Sequence, residues 1–289
     1  MSDIDKDFSL DTLALGKVTK YMTTYTPDLL QAVPRSMNRN ELEITGNLPF
    51  FGEDIWQGYE LSWLNNKGKP IVALLKCYVP CSSPNLIESK SFKLYLNSFN
   101  QSRFQSQIEV QETLEHDLSQ AAGCPLRVEL FTPDNLRAFE ISALPGACID
   151  ELDIEVVAYD LDPLLLKLES DSQINESNKY KEVSEVLHSH LLKSNCLITN
   201  QPDWASVVIS YTGSKICRES LLRYLISFRM HNEFHEQCVE RVFTDLMKHC
   251  GCKELSVQAF YTRRGGLDIN PFRSTDPTLS PPDLRVNRQ

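Results

Sequence analysis

The sequence predicts an α+β fold made of two copies of one unit. The segment YLNSF at residues 95–99 returns as YLISF at residues 224–228, which is 129 positions later. Leu126 and Val128 return with the same spacing as Leu255 and Val257. In each copy, strand-like patterns precede two helical stretches, and a further strand follows. This order of elements, repeated at this length, indicates tandem modules in which helices cover one face of an antiparallel sheet.

The first copy begins with two strands, which alternating apolar and aromatic residues predict at 55–63 and 70–78. Between them, Asn66-Lys67-Gly68 is typical of a hairpin turn. Two helical stretches follow, and a strand at 127–131 closes the copy. The first copy is therefore predicted to contain a strand pair, a helix pair and a closing strand.

The second copy shows the same order. A strand is predicted at 205–211, and Thr212-Gly213 after it is interpreted as a hairpin turn. The clearest helix has apolar residues at i, i+3, i+4 and i+7, which predicts one buried stripe of Val239, Val242, Phe243 and Leu246. Asn232 is a candidate N-cap for that helix, and a strand at 254–261 closes the copy.

These patterns predict five segments along the chain. An N-terminal segment covers residues 1–47, and the first module covers 48–160. Residues 161–184 are expected to form a linker or insertion, because 169–181 are rich in Ser, Asn, Asp and Glu and lack periodicity. The second module covers 185–275, and a tail rich in Pro and Ser covers 276–289.

Composition narrows the class of protein. The chain has 289 residues, 42% of them hydrophobic, and a net charge of −10 without a long basic run. Direct binding to nucleic acid is not expected, because a phosphate backbone requires clustered Lys and Arg. The acidic start lacks the apolar core of a secretion signal, and no apolar stretch reaches the roughly 20 residues of a membrane helix. We therefore expect a cytoplasmic protein.

The nine cysteines are an odd number and are scattered through the chain. In a reducing compartment such residues are most simply free thiols. Two groups invite a metal interpretation, namely Cys77 with Cys81 and the run His249-Cys250-Gly251-Cys252. Neither group has a second pair at zinc-site spacing, so no metal site is expected from them.

The stretch SNCLITNQPDW at 194–204 raises two alternatives for Cys196. A thiol becomes nucleophilic when a nearby acid–base group or positive charge raises its thiolate fraction. Asp203 lies seven residues further on, directly after Pro202, so a hairpin-like bend would bring the two side chains together. The other interpretation is a buried structural thiol beside a turn aspartate, and the stretch alone leaves both open.

Three further stretches carry candidate binding residues. HNEFHEQC at 231–238 places His235 and Glu236 at the start of a helix, where a carboxylate is stabilised by the macrodipole. IESKSFKLY at 87–95 opens a helix of the first copy with Glu88, Lys90 and Lys93. YTRRGGLDINP at 261–271 combines arginines and glycines that suit a phosphate. Each stretch taken singly also fits a solvated helix start or an ordinary glycine turn.

Taken together, the four stretches resemble the family of NADPH-dependent 7-cyano-7-deazaguanine reductases, the nitrile reductases of queuosine biosynthesis, which serves tRNA modification. ESKSFKLY at 88–95 is similar to the signature motif of that family. SNCLITNQPDW is similar to the stretch that bears the nucleophilic cysteine and the proton-donating aspartate. The resemblance implies tandem tunnelling-fold modules related to GTP cyclohydrolase I, in the longer two-module form. It further implies a homodimer that uses no metal.

The resemblance also implies roles for particular residues. Cys196 is expected to be the nucleophile and Asp203 the proton donor. The expected substrate contacts are Ile87, Glu88, Ser89, His235 and Glu236, and the expected NADPH contacts are Ser89, Lys90, Arg264 and Gly265. Because these residues are distributed over both modules, both are expected to contribute to the active site.

The implied reaction is a four-electron reduction of the nitrile of 7-cyano-7-deazaguanine to 7-aminomethyl-7-deazaguanine. It proceeds through a thioimide on Cys196 and consumes two molecules of NADPH. Two alternatives use some of the same residues. A cysteine-dependent nitrile or amide hydrolase shares the nucleophile but has no use for Lys90 or Arg264. A non-catalytic deazapurine-binding protein has no use for Cys196 or Asp203.

Overall fold

Residues 21–135, 139–169 and 182–289 are described by the structure, a computed structural model. The described residues form two units. The first unit consists of residues 21–47, 53–135, 139–140 and 263–269. The second consists of residues 48–52, 141–169, 182–262 and 270–289. The segment boundaries predicted from the sequence are finer than this division and stay a prediction.

The first unit contains an antiparallel sheet and two long helices. Its elements are β1 (Ala32–Pro34), α1 (Arg35–Arg39), β2 (Glu53–Leu64), β3 (Pro70–Pro80), β4 (Asn85–Ile87), α2 (Ser89–Ser98), α3 (Gln107–Ala122) and β5 (Arg127–Phe131). The sheet has the order β5-β3-β2, and β1 pairs separately with β4. Apolar residues of the sheet and both long helices, among them Trp56, Phe92 and Leu114, form one buried cluster.

The second unit repeats this plan. Its elements are β6 (Ala147–Cys148), β7 (Glu182–Asn195), β8 (Pro202–Ser214), α4 (Arg218–Ser227), α5 (His235–Cys250), β9 (Glu254–Tyr261) and β10 (Leu267–Ser274). Strand β10 begins with residues assigned to the first unit and ends in the second. Strands β7, β8, β9 and β10 pair antiparallel in that order, whereas β6 runs parallel to β7. The structure is thus a mixed α+β fold rich in antiparallel sheet.

The predicted repeat extends to individual hydrogen bonds. Helices α2 and α4 begin 129 residues apart, as the repeat requires. Tyr95 Oη donates to Asp117 Oδ2 at 2.6 Å in the first unit, and Tyr224 Oη donates to Asp245 Oδ2 at 2.6 Å in the second. Each bond joins the first long helix of a unit to the second. The duplicated sequence therefore builds the same helix pair twice.

Most of the strands and helices predicted from the sequence are confirmed. The closing strands span the predicted residues, and Asn66-Lys67-Gly68 forms the turn between β2 and β3, with Gly68 at a φ of +80°. The predicted stripe of α5 is buried, with each of its four side chains at most 1% exposed. These segments are predictable because one buried face determines their periodicity.

One predicted turn is wrong. Thr212 and Gly213 lie inside β8, where Thr212 pairs with Ser184 of β7 and Glu254 of β9. A Thr-Gly pair is compatible with a strand when a neighbour approaches closely, and Cys252 Cα would lie 3.3 Å from a Cβ at Gly213. The hairpin turn of this unit lies at the other end of β8, between Asn195 and Pro202.

Two further expectations concern the chain between and after the repeats. The predicted linker composition falls largely on residues 170–181, which lie outside the described residues. Within residues 276–289 the structure has no helix or strand, although Val286 is buried against Val208 and Phe260. Across the described part of the chain, no helix is both long and apolar enough to cross a membrane.

Candidate active site

The hairpin of β7 and β8 determines the relation between Cys196 and Asp203. Ser194 pairs with Asp203, and the Cys196 N–H donates to the Gln201 carbonyl at 2.8 Å, which extends the pairing beyond the strands. Side chains opposite each other in a hairpin share a face, and so do residues two positions apart. Cys196 and Asp203 therefore lie on the same face as diagonal neighbours, a relation that separates Cβ atoms by roughly 7–8 Å or less.

The loop that holds Cys196 has four residues, 197–200. It is closed by a hydrogen bond from the Asn200 N–H to the Cys196 carbonyl at 3.0 Å. Asn200 has a φ of +56°, a left-handed conformation that asparagine adopts more readily than most residues. Cys196 is 6% exposed and Asp203 is 5% exposed. The bend expected from SNCLITNQPDW is thus present, and both side chains are largely buried.

Asn232 stabilises this loop and does not cap α5. Its Nδ2 donates to Asn200 Oδ1 at 3.0 Å and to the Cys196 carbonyl at 3.4 Å, and its Oδ1 accepts from Asn195 Nδ2 at 3.2 Å. The predicted cap is therefore wrong. Helix α5 begins at His235, and its N-cap residue Phe234 forms no side-chain capping bond. Asn232 lies two residues before the N-cap position, which Phe234 occupies in an extended conformation.

His235 contacts the face of the sheet that carries Asp203. Its Nε2 lies 3.2 Å from Asp203 Oδ2, and its ring stacks on Tyr261 with centroids 3.8 Å apart and planes 10° apart. Tyr261 is the β9 partner of Ala205, which follows Asp203 by two residues on β8. The start of α5 thus delivers an imidazole to the proposed proton donor. The sequence carried no signal for the stack, since it depends on the register of two strands.

Glu236 follows His235 in the first turn of α5 and is 4% exposed. A buried carboxylate at this position is stabilised by the positive end of the helix dipole. Lys193 on β7 is also buried, and burial lowers the pKa of its ammonium group, with a further lowering by Arg229 and an opposing effect of Asp203. A cation that interacts with Asp203 was not predicted from the sequence, although the position of Lys193 three residues before Cys196 is an available signal.

Five other thiols of the chain are poorly suited to nucleophilic attack. Burial raises the pKa of the Cys252 thiol to about 11 and that of Cys250 to about 12. Burial also raises the pKa values of Cys77, Cys124 and Cys238. Because the thiolate is the reactive form, these five residues are expected to be inert near neutral pH.

The signature-like stretch of the first unit begins with a capped helix. Glu88 is the N-cap of α2, where its carboxylate accepts hydrogen bonds from the backbone N–H groups of Lys90 at 2.9 Å and Ser91 at 2.7 Å. Burial raises the pKa of Glu88, while these two bonds act in the opposite direction. Ile87 precedes it in β4, and its side chain belongs to the hydrophobic core. Ser89 and Lys90 are half-buried in the first turn.

Arg264 and Gly265 lie in a tight turn that belongs to the first unit. The Arg264 N–H donates to the Leu267 carbonyl at 2.8 Å, and both intervening glycines have positive φ, +60° at Gly265 and +81° at Gly266. A Cβ at Gly265 would lie 3.8 Å from Lys93 Cγ of α2. Lys93 forms an ion pair with Glu60, and burial lowers its pKa. The turn therefore lies beside the same helix that carries Ser89 and Lys90.

The predicted residues thus fall into two groups. Cys196, Asp203, His235 and Glu236 belong to the second unit. Ile87, Glu88, Ser89, Lys90, Arg264 and Gly265 belong to the first. Within the second unit the structure brings Asp203 into contact with His235 and places it diagonally from Cys196. Within the first unit it brings the Arg264-Gly265 turn beside α2.

Two protein-family models match the chain. A model described as "Nitrile reductase, 7-cyano-7-deazaguanine-reductase N-term" matches residues 21–130. A second model, described as "QueF-like protein", matches residues 202–278. Together they cover well over half of the chain and correspond to its two repeats. The matched residues include Glu88 in the first model and Asp203 in the second, whereas Cys196 lies just before the second matched stretch.

Proposed function

We propose, from the premise that the chain belongs to the 7-cyano-7-deazaguanine reductase family in its two-module arrangement, that it reduces the substrate nitrile through a covalent bond to Cys196. The family consists of nitrile reductases of queuosine biosynthesis, and its substrate is 7-cyano-7-deazaguanine. NADPH as the reductant, the covalent intermediate and the roles of single residues are the proposal. The observation that carries it is the hairpin register that gives Cys196 and Asp203 a common face.

The chemistry requires a nucleophile because a nitrile carbon is a weak electrophile. Cys196 adds its sulfur to that carbon, and the nitrile nitrogen takes up one proton, which gives a thioimide. Asp203 is the proposed group that transfers protons to the nitrogen, and its contact with His235 keeps the carboxyl group in one orientation. Positioned proton transfer of this kind typically contributes about 10²–10⁴-fold to a rate.

The remaining steps return the enzyme to its starting state. When bound, NADPH supplies one hydride for each of two successive reductions. After the first, with a proton delivered to nitrogen, the carbon carries hydrogen, sulfur and an amino group. Cys196 then leaves as a thiol, and an imine remains. The second reduction with one more proton gives the primary amine. Two hydrides and two protons are consumed overall, which balances the four-electron change from nitrile to amine.

The first unit contains groups that suit the phosphates of NADPH. The turn at Gly265 lies beside Lys93 of α2, Arg264 belongs to the turn itself, and Lys90 precedes Lys93 by three residues on the same helix. We propose that Ser89, Lys90, Arg264 and Gly265 bind NADPH. The side chains of Ser89, Lys90 and Arg264 and the backbone N–H of Gly265 would hold the phosphates through charge-assisted hydrogen bonds.

Two carboxylates are proposed to recognise the deazaguanine. A guanine-like edge presents adjacent N–H donors, and a carboxylate can accept both. Glu236 at the start of α5 and Glu88 at the start of α2 are the candidates, together with His235, Ser89 and the backbone of Ile87. Glu88 already accepts two backbone N–H bonds, but each carboxylate oxygen has a second lone pair. The duplication supports different roles for the starts of α2 and α4. The N-cap residue of α4, which corresponds to Glu88, is Cys217 and offers no carboxylate.

We also propose a tunnelling-fold architecture, a homodimer and a cytoplasmic location, without direct nucleic-acid binding. The antiparallel sheets with paired helices support the architecture. Strand β5 has only β3 beside it among the described strands of the first unit, and an open edge is suited to pairing with another copy. Light scattering of the purified protein tests the dimer, for which we expect twice the chain mass of 33.0 kDa.

The function is tested by mixing the protein with the nitrile and NADPH. The absorbance of reduced nicotinamide should fall by two equivalents per product, and mass spectrometry should identify 7-aminomethyl-7-deazaguanine. A hydrolase would instead give an amide or acid without consuming NADPH. A binding protein would give no product at all. Either result would overturn the proposal.

A further inference from the structure

Three potential metal ligands lie together on the second unit, on residues that the proposed reaction does not use. The ligand atoms of Cys148, His188 and His190 all lie within 4.8 Å of one another. Cys148 is exposed, and both histidines are half-buried. This cluster is different from the two groups that the sequence suggested, which contain Cys77 and Cys250.

The sheet register explains why the three side chains converge. β6 runs parallel to β7, with Cys148 directly beside His188, so their side chains leave the same face. His190 follows two residues later, in a stretch where the register with β8 shifts between Ser189 and Leu192. Gly146 allows this arrangement, because a Cβ there would lie 2.1 Å from the Val186 carbonyl oxygen. Only glycine lets the chain that carries Cys148 approach β7 this closely.

Each histidine uses its Nδ1 for a hydrogen bond within the protein, as metal-ligating histidines do. His188 Nδ1 lies 2.9 Å from the carbonyl oxygen of Pro145, which can only accept, so Nδ1 carries the hydrogen and Nε2 has the lone pair. His190 Nδ1 lies 2.8 Å from the hydroxyl of the buried Ser206. Histidine ligands almost always donate from their second nitrogen to a carboxylate, a backbone carbonyl or water, as His188 does here. The Ser206 hydroxyl can accept from His190 Nδ1 in the same way when Nε2 binds a cation. Both Nε2 atoms are thus the ones available to a cation.

We propose that Cys148, His188 and His190 form a binding site for one zinc-class divalent cation. Thiolate and imidazole are the ligands that zinc prefers, and three protein ligands leave one position for water. Tetrahedral coordination would hold the ligand atoms about 3.4–3.6 Å apart. The ligand atoms, which lie within 4.8 Å of one another, must therefore approach by at most about 1.4 Å, through small rotations of the three side chains. On binding, the Cys148 thiol releases its proton to solvent.

The site is separate from the proposed chemistry. His188 pairs with Val208, which packs against Phe260 and Val286. Val208 and Asp203 are five residues apart on β8, and alternation places their side chains on opposite faces of the strand. The bound cation would link the two-residue strand β6 to β7 and would not contact Cys196. The expected consequence is stabilisation of the second unit by the bound metal.

Cobalt(II) titration tests the site, because tetrahedral cobalt absorbs visible light and a thiolate ligand adds a charge-transfer band. The protein should carry no affinity tag and be kept reduced by a phosphine, which competes for the metal less than a thiol reductant does. We expect one equivalent of cobalt with the charge-transfer band, and displacement of cobalt by zinc. Zinc should also raise the melting temperature of the wild-type protein.

Variants distinguish this site from other thiols. Cys148→Ser should abolish the charge-transfer band, and Ser206→Ala should weaken cobalt binding about 10- to 100-fold through loss of the outer contact. Cys217→Ser, which removes a half-buried cysteine elsewhere in the same unit, should bind cobalt as the wild type does. The proposal is overturned if the wild type binds less than one equivalent. It is also overturned if the band survives in Cys148→Ser or disappears in Cys196→Ala.

Discussion

The imidazole of His235 connects Asp203 to the aromatic ring of Tyr261. Its Nε2 is 3.2 Å from Asp203 Oδ2, while its ring centroid lies 3.8 Å from that of Tyr261 and the two ring planes are nearly parallel. All three side chains are largely buried. The start of α5 therefore packs against the strands that carry Asp203 and Tyr261. The contact with His235 orients the carboxyl group of Asp203.

Cys196→Ala is expected to abolish both covalent capture of the nitrile and oxidation of NADPH. The physical reason is that no other group supplies the sulfur of the thioimide. Intact-protein mass spectrometry of the wild type with nitrile, without NADPH, should show one added substrate mass. Cys217→Ala is the matched control and should form the adduct normally. An adduct that persists in Cys196→Ala would contradict the assignment.

Asp203→Asn is expected to lower turnover by about 10²–10⁴-fold, because an amide cannot transfer the proton that the nitrogen requires. The substitution preserves the size of the side chain and an oxygen that can face His235. Affinity for the nitrile, measured by calorimetry, should change by no more than severalfold. If affinity collapses while turnover holds, Asp203 is a binding residue and the role is wrong.

His235→Phe separates the two contacts of the imidazole. The phenyl ring can keep the stack on Tyr261, but the contact with Asp203 is lost. One hydrogen bond to a charged group contributes roughly 1.5–3 kcal/mol, so we expect about a tenfold to hundredfold loss in kcat/KM. Loss in kcat alone would indicate that His235 positions Asp203. A higher KM at unchanged kcat would indicate direct contact with substrate, and unchanged kinetics would exclude both roles.

Glu88→Ala is expected to weaken binding of the deazaguanine by about tenfold to a hundredfold, the effect of losing one charged hydrogen-bonding group. It should also destabilise the protein by about 1 kcal/mol, because Glu88 caps α2. Ser106→Ala is the matched control, since Ser106 caps α3 of the same unit and accepts from the Glu109 N–H at 3.1 Å. It should lower stability without changing affinity. Calorimetric titration measures the affinity of both variants for the deazaguanine. Equal affinities would indicate that Glu88 serves only as a helix cap.

Arg264→Ala is expected to raise the KM for NADPH by about tenfold or more, through loss of a charge-assisted contact to phosphate. The effect should shrink at high salt, which screens exposed charges. Arg263→Ala is the neighbouring control. The guanidinium of Arg263 lies 4.0 Å from the ring centroid of Tyr59, so it already interacts within the protein. Steady-state kinetics at two salt concentrations tests this difference. A similar KM for both variants would argue against a specific role for Arg264.

The duplicated tyrosine–aspartate bonds predict unequal costs for equivalent substitutions. Tyr224→Phe removes the hydroxyl that donates to Asp245, and we expect a loss of about 1–3 kcal/mol in the free energy of unfolding. Tyr95→Phe should cost less, because Tyr25 Oη also donates to Asp117 Oδ2 at 2.6 Å. Denaturant unfolding of both variants measures the difference. A greater loss for Tyr95→Phe would contradict this explanation.

The sequence by itself determined the order of elements, the duplication and the candidate nucleophile. Periodicity reveals a helix or strand because one face must be buried, as the stripe at Val239 and Leu246 shows. Repetition and motif resemblance reveal the family. Each of these signals is local in the chain or compares one stretch with another, so no spatial contact has to be known.

Tertiary structure alone decided which distant residues meet. Asn232 bonds to the loop of Cys196 instead of capping α5, and His235 reaches Asp203 and Tyr261. Thr212 and Gly213 continue a strand because β7 pairs with both residues and β9 also pairs with Thr212. Cys148 joins His188 and His190 only because β6 adds to the edge of β7. These contacts depend on strand register and on where helices begin, which one-residue shifts would change without altering the pattern of any single segment.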